Sequence, residues 1–563
     1  MNMLSFYKIL IRIKGVLPKG YEKISVRFFM LSFILLVLDI FSVFLLIPLI
    51  IFLLDKDSSF DFLPFEILGK NRLLLAGIVI AFFLIKNYVA ILINKFQTKT
   101  AYDLGAAYSL SLSKHYILGN YNIFKQQKKS TIIKDIIFVA NDFVGNVLLS
   151  VNTIISEIAL LLILGIIGIF YNYVITILII IMLGIIVFIY KRHNRKDIDK
   201  INETRSSDFD NNIGNLTNLL NGYLSIKSSG LITHFLEKFN ASNKKLNRSY
   251  AILQSKRLNS SRQTEIILIF LVCFIFISIN TFSLRGVSPI VFLSIFASLL
   301  FKSIPSVNRL NIAFTNLKSN IYTLEIIEKR TKKSIKTEVS KSPIAFNNSI
   351  VLKDISFSYN NEKEILKNIN LTIDKGQFIA ISGASGIGKT TLLNIIAKLI
   401  NPKAGEIFID NTKITEENKY DFFDLFTYLT QRPFIYEGSI LDNLVLSEKK
   451  YDTRKIHKLL KVFKIDEIIE QFPNQLETYI GSDGTNLSGG QLQRICIIRA
   501  ILNKPEILIL DEATNNLDKE TEIEVLKFLK SFAIENKTTI ILVSHHIKNT
   551  TNLYDKIIEL NND

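Results

Sequence analysis

Apolar positions in the first 310 residues come in long blocks; beyond residue 350 they come in short runs that alternate with amphipathic stretches. The blocks are Phe28–Leu54, Leu73–Ile93, Val147–Phe170, Val174–Tyr190, Ile266–Ile279 and Ser288–Phe301. About 20 helical residues cross a hydrocarbon core of about 30 Å. The first four blocks meet or approach that length. The last two continue into flanks that extend a helix, Arg262–Glu265 before one and Lys302–Arg309 after the other. Backbone groups in lipid must be satisfied within their own segment, so the pattern predicts six membrane-spanning helices. From Ile350 to Leu560 the short runs predict strands and helices in alternation, enough for one α/β domain with its own core.

Charge orients the spans. Lys8, Arg12, Lys14, Lys19, Lys23 and Arg27 precede the first block, and the segments Lys95–Asn146 and Lys191–Arg262 are rich in Lys and Arg. The Tyr171–Tyr173 connection has neither, and Thr281–Val287 has only Arg285. By the excess of positive charge on cytoplasmic loops, both termini and the two long loops face the cytoplasm. No small-residue cleavage site follows the first block, so it reads as a retained span. Ser5–Leu17 alternates Phe, Ile and Leu with Lys and Arg; it suits a helix lying in the membrane interface or a plain cytosolic lead-in. The expected layout is a lead-in at 1–25, a transmembrane domain at 26–325, a linker at 326–349 and a nucleotide-binding domain at 350–563.

Composition narrows the classes. The chain has 563 residues, a net charge of +17 and 49% apolar residues, which excludes a disordered or acidic solvating chain. Cys273 and Cys496 lie far apart, so neither a disulfide framework nor a cysteine zinc site is possible. The positive excess sits beside apolar blocks, which points to membrane and not to nucleic acid.

The chemistry lies in the second domain. The apolar run Phe378–Ser382 leads into Gly383-Ala384-Ser385-Gly386-Ile387-Gly388-Lys389-Thr390 and then Thr391-Leu392-Leu393. Strand, G-x-x-x-x-G-K-T loop and helix are the context of a phosphate-binding P-loop. Its glycines let backbone N–H groups turn inward, the helix N-terminus adds its positive end, Lys389 reaches the β- and γ-phosphates, and Thr390 can hold Mg²⁺. Glu506–Glu512 is an apolar strand ending in two acids: Asp511 fits a Mg²⁺ role and Glu512 is placed to polarise water. Leu487-Ser488-Gly489-Gly490-Gln491 opens a helical stretch and offers a second set of N–H groups, or simply a Gly turn with a Ser cap.

This set resembles the nucleotide-binding domain of ABC transporters, in which LSGGQ stands between the two Walker motifs. The resemblance implies a fold: an all-α six-helix transmembrane domain followed by an α/β P-loop ATPase domain, the ABC exporter architecture. It also implies that Tyr359 stacks on adenine, that Gly383–Thr391 and Gln431 bind ATP (the loop members including Ala384, Ser385, Gly386, Ile387 and Gly388), and that Thr390, Gln431 and Asp511 hold Mg²⁺. Glu512 and His545 would be the catalytic pair. Ser488, Gly489, Gly490, Gln491 and Asp518 would contact ATP from a second chain, since the family sandwiches the nucleotide between two domains. A homodimer is the simple expectation and a heterodimer the alternative. Short coupling helices are expected near Gly119–Gln127 and Asn215–Ser225. The chain departs from the family at Ser482, where Glu is common, at Asn515, where Ser is usual, and at His546, where Arg is common.

Ionisable residues in or beside spans are costly, so Lys86, Arg262, Lys302 and Arg309 are substrate candidates. Facing a central cavity they would suit phosphate or pyrophosphate; snorkelling to the interface is the other reading. Glu157 and Glu265 could neutralise them. Ile304–Leu310, Ser156–Ile158 and Gly484–Gly490 are similar to bacterial flippases of lipid-linked oligosaccharides. That implies a polyprenyl-pyrophosphate glycan as cargo, moved outward across a bacterial inner membrane. Export of a peptide, drug or other amphipathic solute is the alternative, without a peptidase domain before the first span. A membrane ATPase that regulates a partner is a third.

Overall fold

The computed structural model describes residues 3–18, 22–54, 72–119, 121–281, 289–331, 344–359, 364–431, 434–446, 451–481, 487–544 and 550–561. The chain divides into a helical unit of residues 1–119 and 123–335 and an α/β unit of residues 336–563 that also takes in 121–122.

In the helical unit, α1 (Met3–Val16) is followed by α2 (Glu22–Leu54), α3 (Arg72–Ile117), the short α4 (Tyr121–Gln126), α5 (129–171), α6 (Tyr173–Asn221), the short α7 (Tyr223–Ser228), α8 (Ile232–Thr281) and α9 (Pro289–Thr331). Among the described residues three helices are long and apolar enough to cross a membrane, at Val26–Ile51, Leu73–Ile117 and Lys129–Phe170. The other three expected spans fall in α6, α8 and α9, helices of 49, 50 and 43 residues. At about 1.5 Å per residue each is roughly twice the length a hydrocarbon core needs, so its polar part extends well past it. The six-residue helices α4 and α7 stand near the expected coupling segments.

Packing of α1 sets the reach of α9. The apolar face of α1 is buried against protein: Ile9, Ile13 and Val16 join Tyr108, Leu112, Leu317, Leu324 and Ile327 in one core. The Tyr108 hydroxyl donates to the Val16 carbonyl at 3.0 Å, and Arg12 pairs with Glu328 at 2.8 Å. Each fully buried Ile or Leu contributes about 1.5–3 kcal/mol. That burial also carries α9 to Thr331, through the first residues of the expected linker, while β1 begins at Ser349, just before the expected start of the second domain.

Helix α5 widens into π-helix over Lys134–Val139 and again over Phe143–Leu148; between them Asp142 pairs with Arg205 of α6 at 3.2 Å. A second core gathers Val43 and Ile51 of α2, Leu160 and Leu164 of α5, and Ile295 and Phe296 of α9.

The α/β unit holds two main sheets. An antiparallel sheet has the order β2 (Leu366–Asp374), β1 (Ser349–Phe357), β4 (Ala404–Ile409), β5 (Thr412–Lys413). A parallel sheet has the order β11 (Lys556–Leu560), β3 (Phe378–Gly383), β10 (Thr539–Val543), β9 (Ile507–Asp511), β6 (Phe426–Leu429). β7 (Gly438–Ser439) and β8 (Tyr479–Ile480) form a small pair. Every residue of β9 and β10 is buried, as expected of parallel strands covered on both faces. Packed around these strands are α10 (Lys389–Ile396), α11 (Gly489–Leu502) and α12 (Lys519–Asn536), with cores on both sides of the sheet. In such sheets ligands bind beyond the carboxyl ends of the strands, and here β3, β10 and β9 end side by side.

Candidate functional site

β3 delivers the chain into the glycine loop. Gly388 has φ +110°, a left-handed conformation that side chains avoid, and a Cβ there would lie 2.7 Å from Ile365 Cγ2. That turn starts α10 and presents its N-terminus to the loop. The ammonium of Lys389 donates to the carbonyls of Gly383 and Ala384 at 2.9 and 3.0 Å, so the lysine spans the mouth of the loop. The Thr390 hydroxyl donates to Asp511 Oδ1 at 3.2 Å. Thr391 lies 3.4 Å from the Tyr359 hydroxyl, and the Tyr359 ring packs edge-on against Phe357.

Asp511 closes β9 and is buried. Burial pushes its carboxyl pKa up, while hydrogen bonds from Thr390 and Tyr428 pull it down; burial wins. The Tyr428 hydroxyl, from the neighbouring strand β6, donates to Asp511 Oδ2 at 3.1 Å. Glu512 stands one residue on with φ +54°, a strained backbone for a side-chain-bearing residue, held by its N–H donating to the Val543 carbonyl at 3.1 Å. Two side-chain amides reach the same oxygen of Glu512: Gln431 at 2.7 Å and Asn515 at 3.1 Å. Asn515, where Ser is usual, is thus a donor to Glu512.

Ser488 caps α11 in a reciprocal box with Gln491: the Gln491 backbone N–H donates to Ser488 Oγ at 3.3 Å, and the Ser488 N–H to Gln491 Oε1 at 2.7 Å. Gly490 sits against the Asn516 carbonyl, where a Cβ would come within 2.7 Å. Asp518 caps α12, accepting from the Thr521 N–H at 2.9 Å, and those bonds hold its carboxyl below the usual range. His545 and Ser482 lie outside the described residues.

In the helical unit, three of the four basic candidates line one cavity of about 370 Å³, bordered by α2, α3, α5 and α9. Lys86 of α3 and Lys302 of α9 both donate to Asp39 Oδ1, at 2.7 and 2.6 Å. Arg309 pairs with Glu157, through Nη2 to Oε2 at 3.1 Å and a second bond from Nε, and Ser306 donates to the same carboxylate. Lys302 and Arg309 do share a face, as their seven-residue spacing requires. Arg262 is the exception: among the described residues none from α8 lines this cavity, and Arg262 is exposed and paired at 3.2 Å with Glu265 one turn along its own helix. Beside the cavity, across the α5–α9 contact, an apolar groove of about 480 Å³ is lined by residues such as Ile158, Leu161, Phe296, Leu300 and Val307. Two positions escaped sequence reasoning. Asp39 was visible only as the lone charge of its span, and Tyr428 carried no signal of its own.

Residues 366–515 match the family model described as ABC transporter. The ATP-dependent lipid A-core flippase of Desulfotalea psychrophila is 39% identical over 223 residues, 39% of this chain and 38% of that protein. The lactococcin-A transport/processing ATP-binding protein LcnC of Lactococcus lactis is 38% identical over 38% of this chain and 29% of its own length. The heterocyst differentiation ATP-binding protein HepA of Nostoc is 30% identical over 60% of this chain and 55% of its own. The chain thus spans less than two thirds of these relatives. A bacterial Atm1-family ABC exporter solved with ATP bound shares the fold, with a TM-score of 0.75, 18% identity, and coverage of 95% of this chain and 93% of that one. The second unit therefore carries an ABC transporter domain, and the chain takes the fold of an ABC exporter.

Proposed function

We propose that the protein is an ATP hydrolase that drives transport across a bacterial inner membrane, with its ATPase domain in the cytoplasm. The observation that carries this is the gathering of Lys389, Thr390, Asp511, Glu512 and Gln431 at the carboxyl ends of β3, β9 and β6. Lys389 leaves its two loop carbonyls for the β- and γ-phosphates of ATP. Glu512, held by Gln431 and Asn515, takes the proton of the attacking water, and His545 contacts the γ-phosphate. The Thr390 hydroxyl and Asp511 carboxylate are hard oxygen donors, and Mg²⁺ takes one or two such protein ligands beside phosphates, so the pair fits that ion. When bound, Mg²⁺ supplies charge neutralisation at the transferred phosphoryl group.

Two copies would close on the nucleotide, with Ser488, Gly489, Gly490, Gln491 and Asp518 of one facing the glycine loop of the other, most simply as a homodimer. The capped N-terminus of α11 supports this, because its N–H groups suit phosphate oxygens. The short helices α4 and α7 would couple the two units.

Tyr428 would position Asp511. Tyr428→Phe leaves Asp511 Oδ2 without its donor and lets the carboxyl pKa, already raised, rise further. The expected result is a KM for Mg²⁺ raised about fivefold, with kcat at saturating Mg²⁺ within about twofold. The deficit should grow as pH falls, since the protonated acid cannot hold the ion. A Mg²⁺ dependence unchanged at every pH would remove Tyr428 from this role.

The cargo proposed is a lipid-linked oligosaccharide carrying pyrophosphate, flipped from inner to outer leaflet. A cavity with three cations and two carboxylates beside an apolar groove supports an amphipathic substrate with an anionic group. ATPase activity in vesicles should be stimulated by a polyprenyl-pyrophosphate glycan, and Lys86→Ala should reduce that stimulation at least about fivefold. The lactococcin relative supports a second reading, peptide export. Stimulation by a peptide, indifferent to Lys86→Ala, would replace the first reading with the second.

A further inference from the structure

We infer that Asp39 is a built-in counter-ion which the anionic group of the substrate displaces from Lys86 and Lys302; this rests on the transport reading given above. Two lysines from different helices, α3 and α9, meet at a single carboxylate oxygen, Asp39 Oδ1, at 2.7 and 2.6 Å. Two ammonium groups this close repel each other strongly where water is scarce, and only the shared carboxylate makes the arrangement tolerable. One negative charge faces two positive ones, so the cluster keeps a surplus of one.

The surplus is absent from the second cluster in the cavity, where Glu157 meets the single cation Arg309. The two clusters also differ in which partner is open. The lysine side chains are 8% and 14% exposed against 25% for Asp39, whereas Glu157 is 11% exposed and Arg309 46%. In the first cluster, then, the anion is the more exposed partner, and all three side chains border the cavity. Ser42 donates to the backbone carbonyl of Asp39 at 2.6 Å, so its hydroxyl does not compete with the lysines for the carboxylate. Asn87, Asn94 and Ser156 line the same cavity and offer uncharged polar groups to a displaced carboxylate.

A phosphate or pyrophosphate brings two or more charges and several acceptor oxygens, and so satisfies both ammoniums better than one carboxylate does. Because it must compete with Asp39, the grip it gains is the difference between two pairings. Asp39 therefore weakens binding and speeds release, and it returns to the lysines once the anion leaves. A neutral amphiphile cannot make the exchange. Asp39 would thus set both the class of cargo and the ease of letting it go.

The test uses the full-length protein in phosphatidylcholine nanodiscs, with two probes: inorganic pyrophosphate and farnesyl pyrophosphate. Asp39→Asn should bind both about tenfold more tightly than the unaltered protein, and Lys86→Ala should weaken both. Tighter binding of inorganic pyrophosphate alone would uphold Asp39 as the counter-ion and overturn the lipid-linked cargo. Affinities in Asp39→Asn equal to or below those of the unaltered protein, with Lys86→Ala still weakening them, would overturn the counter-ion and leave the transport reading standing. Absence of binding in every variant would overturn both. Should Asp39→Asn fail to fold, Lys302→Met compared with the Asp39→Asn/Lys302→Met double variant makes the same measurement with one cation fewer. The double variant is then expected to bind more tightly, and equal affinities would overturn the inference.

Discussion

Glu512→Gln should bind ATP about as well as the unaltered protein and hydrolyse it about 10²- to 10⁴-fold more slowly. The side chains have the same shape, so the loss falls on the one thing an amide cannot do, which is accept the proton of the attacking water. Binding should survive because the phosphate-holding groups belong to other residues: Lys389 on α10 and the N–H groups of the glycine loop. Folding should survive as well. The positive φ of Glu512 is imposed by its N–H bond to Val543 and by the fully buried β9 that precedes it, and Gln accepts that backbone at the same cost as Glu. The informative measurement pairs equilibrium ATP binding with single-turnover hydrolysis. Near-normal turnover would take the base role away from Glu512, and lost binding would mean that the substitution had disturbed the loop itself.

The candidate nucleotide site was legible in the chain because the proposed chemistry constrains residue type and spacing together. A loop that aims N–H groups at phosphate needs glycine where φ is positive, as at Gly388, and a lysine at the start of the following helix; few other sequences meet both demands. The strand and helix order around it followed from the same run of residues. Pairings between distant helices had no such local signature. Asp39 lies 47 residues from Lys86 and 263 from Lys302, and their meeting depends on how α2, α3 and α9 pack. Arg262 was readable in part: Glu265 follows it by three, the spacing of neighbours on one helix face, and the two do pair. The hydroxyl of Tyr428 could not be aimed at Asp511 without the parallel pairing of β6 with β9.

Lys389→Ala should lower ATP affinity about a hundredfold. A lysine reaching two phosphate groups makes charge-assisted hydrogen bonds, each contributing about 1.5–3 kcal/mol, and no other cation in the loop can take them over. The structure argues that this loss will not be a folding defect. The eight-residue α10 starts at this position, Ala is the best helix former, and the shape of the loop is held by its glycines and by the burial of Leu392, Leu393 and Ile395 beneath it. The carbonyls of Gly383 and Ala384 lose their donor, but they lie at the mouth of the loop and not in the core. A thermal midpoint within a few degrees of the unaltered protein should therefore accompany the loss of affinity. Lys389→Arg is the sharper control. Arg keeps the charge, but its planar fork needs room beside two carbonyls that now lie 2.9 and 3.0 Å from a compact ammonium, so it should restore little. If charge alone mattered, Arg would rescue binding. If Lys389→Ala left affinity unchanged, the phosphates would have to bind elsewhere, and Thr390, Asp511 and Glu512 would lose the substrate that gives their arrangement its purpose.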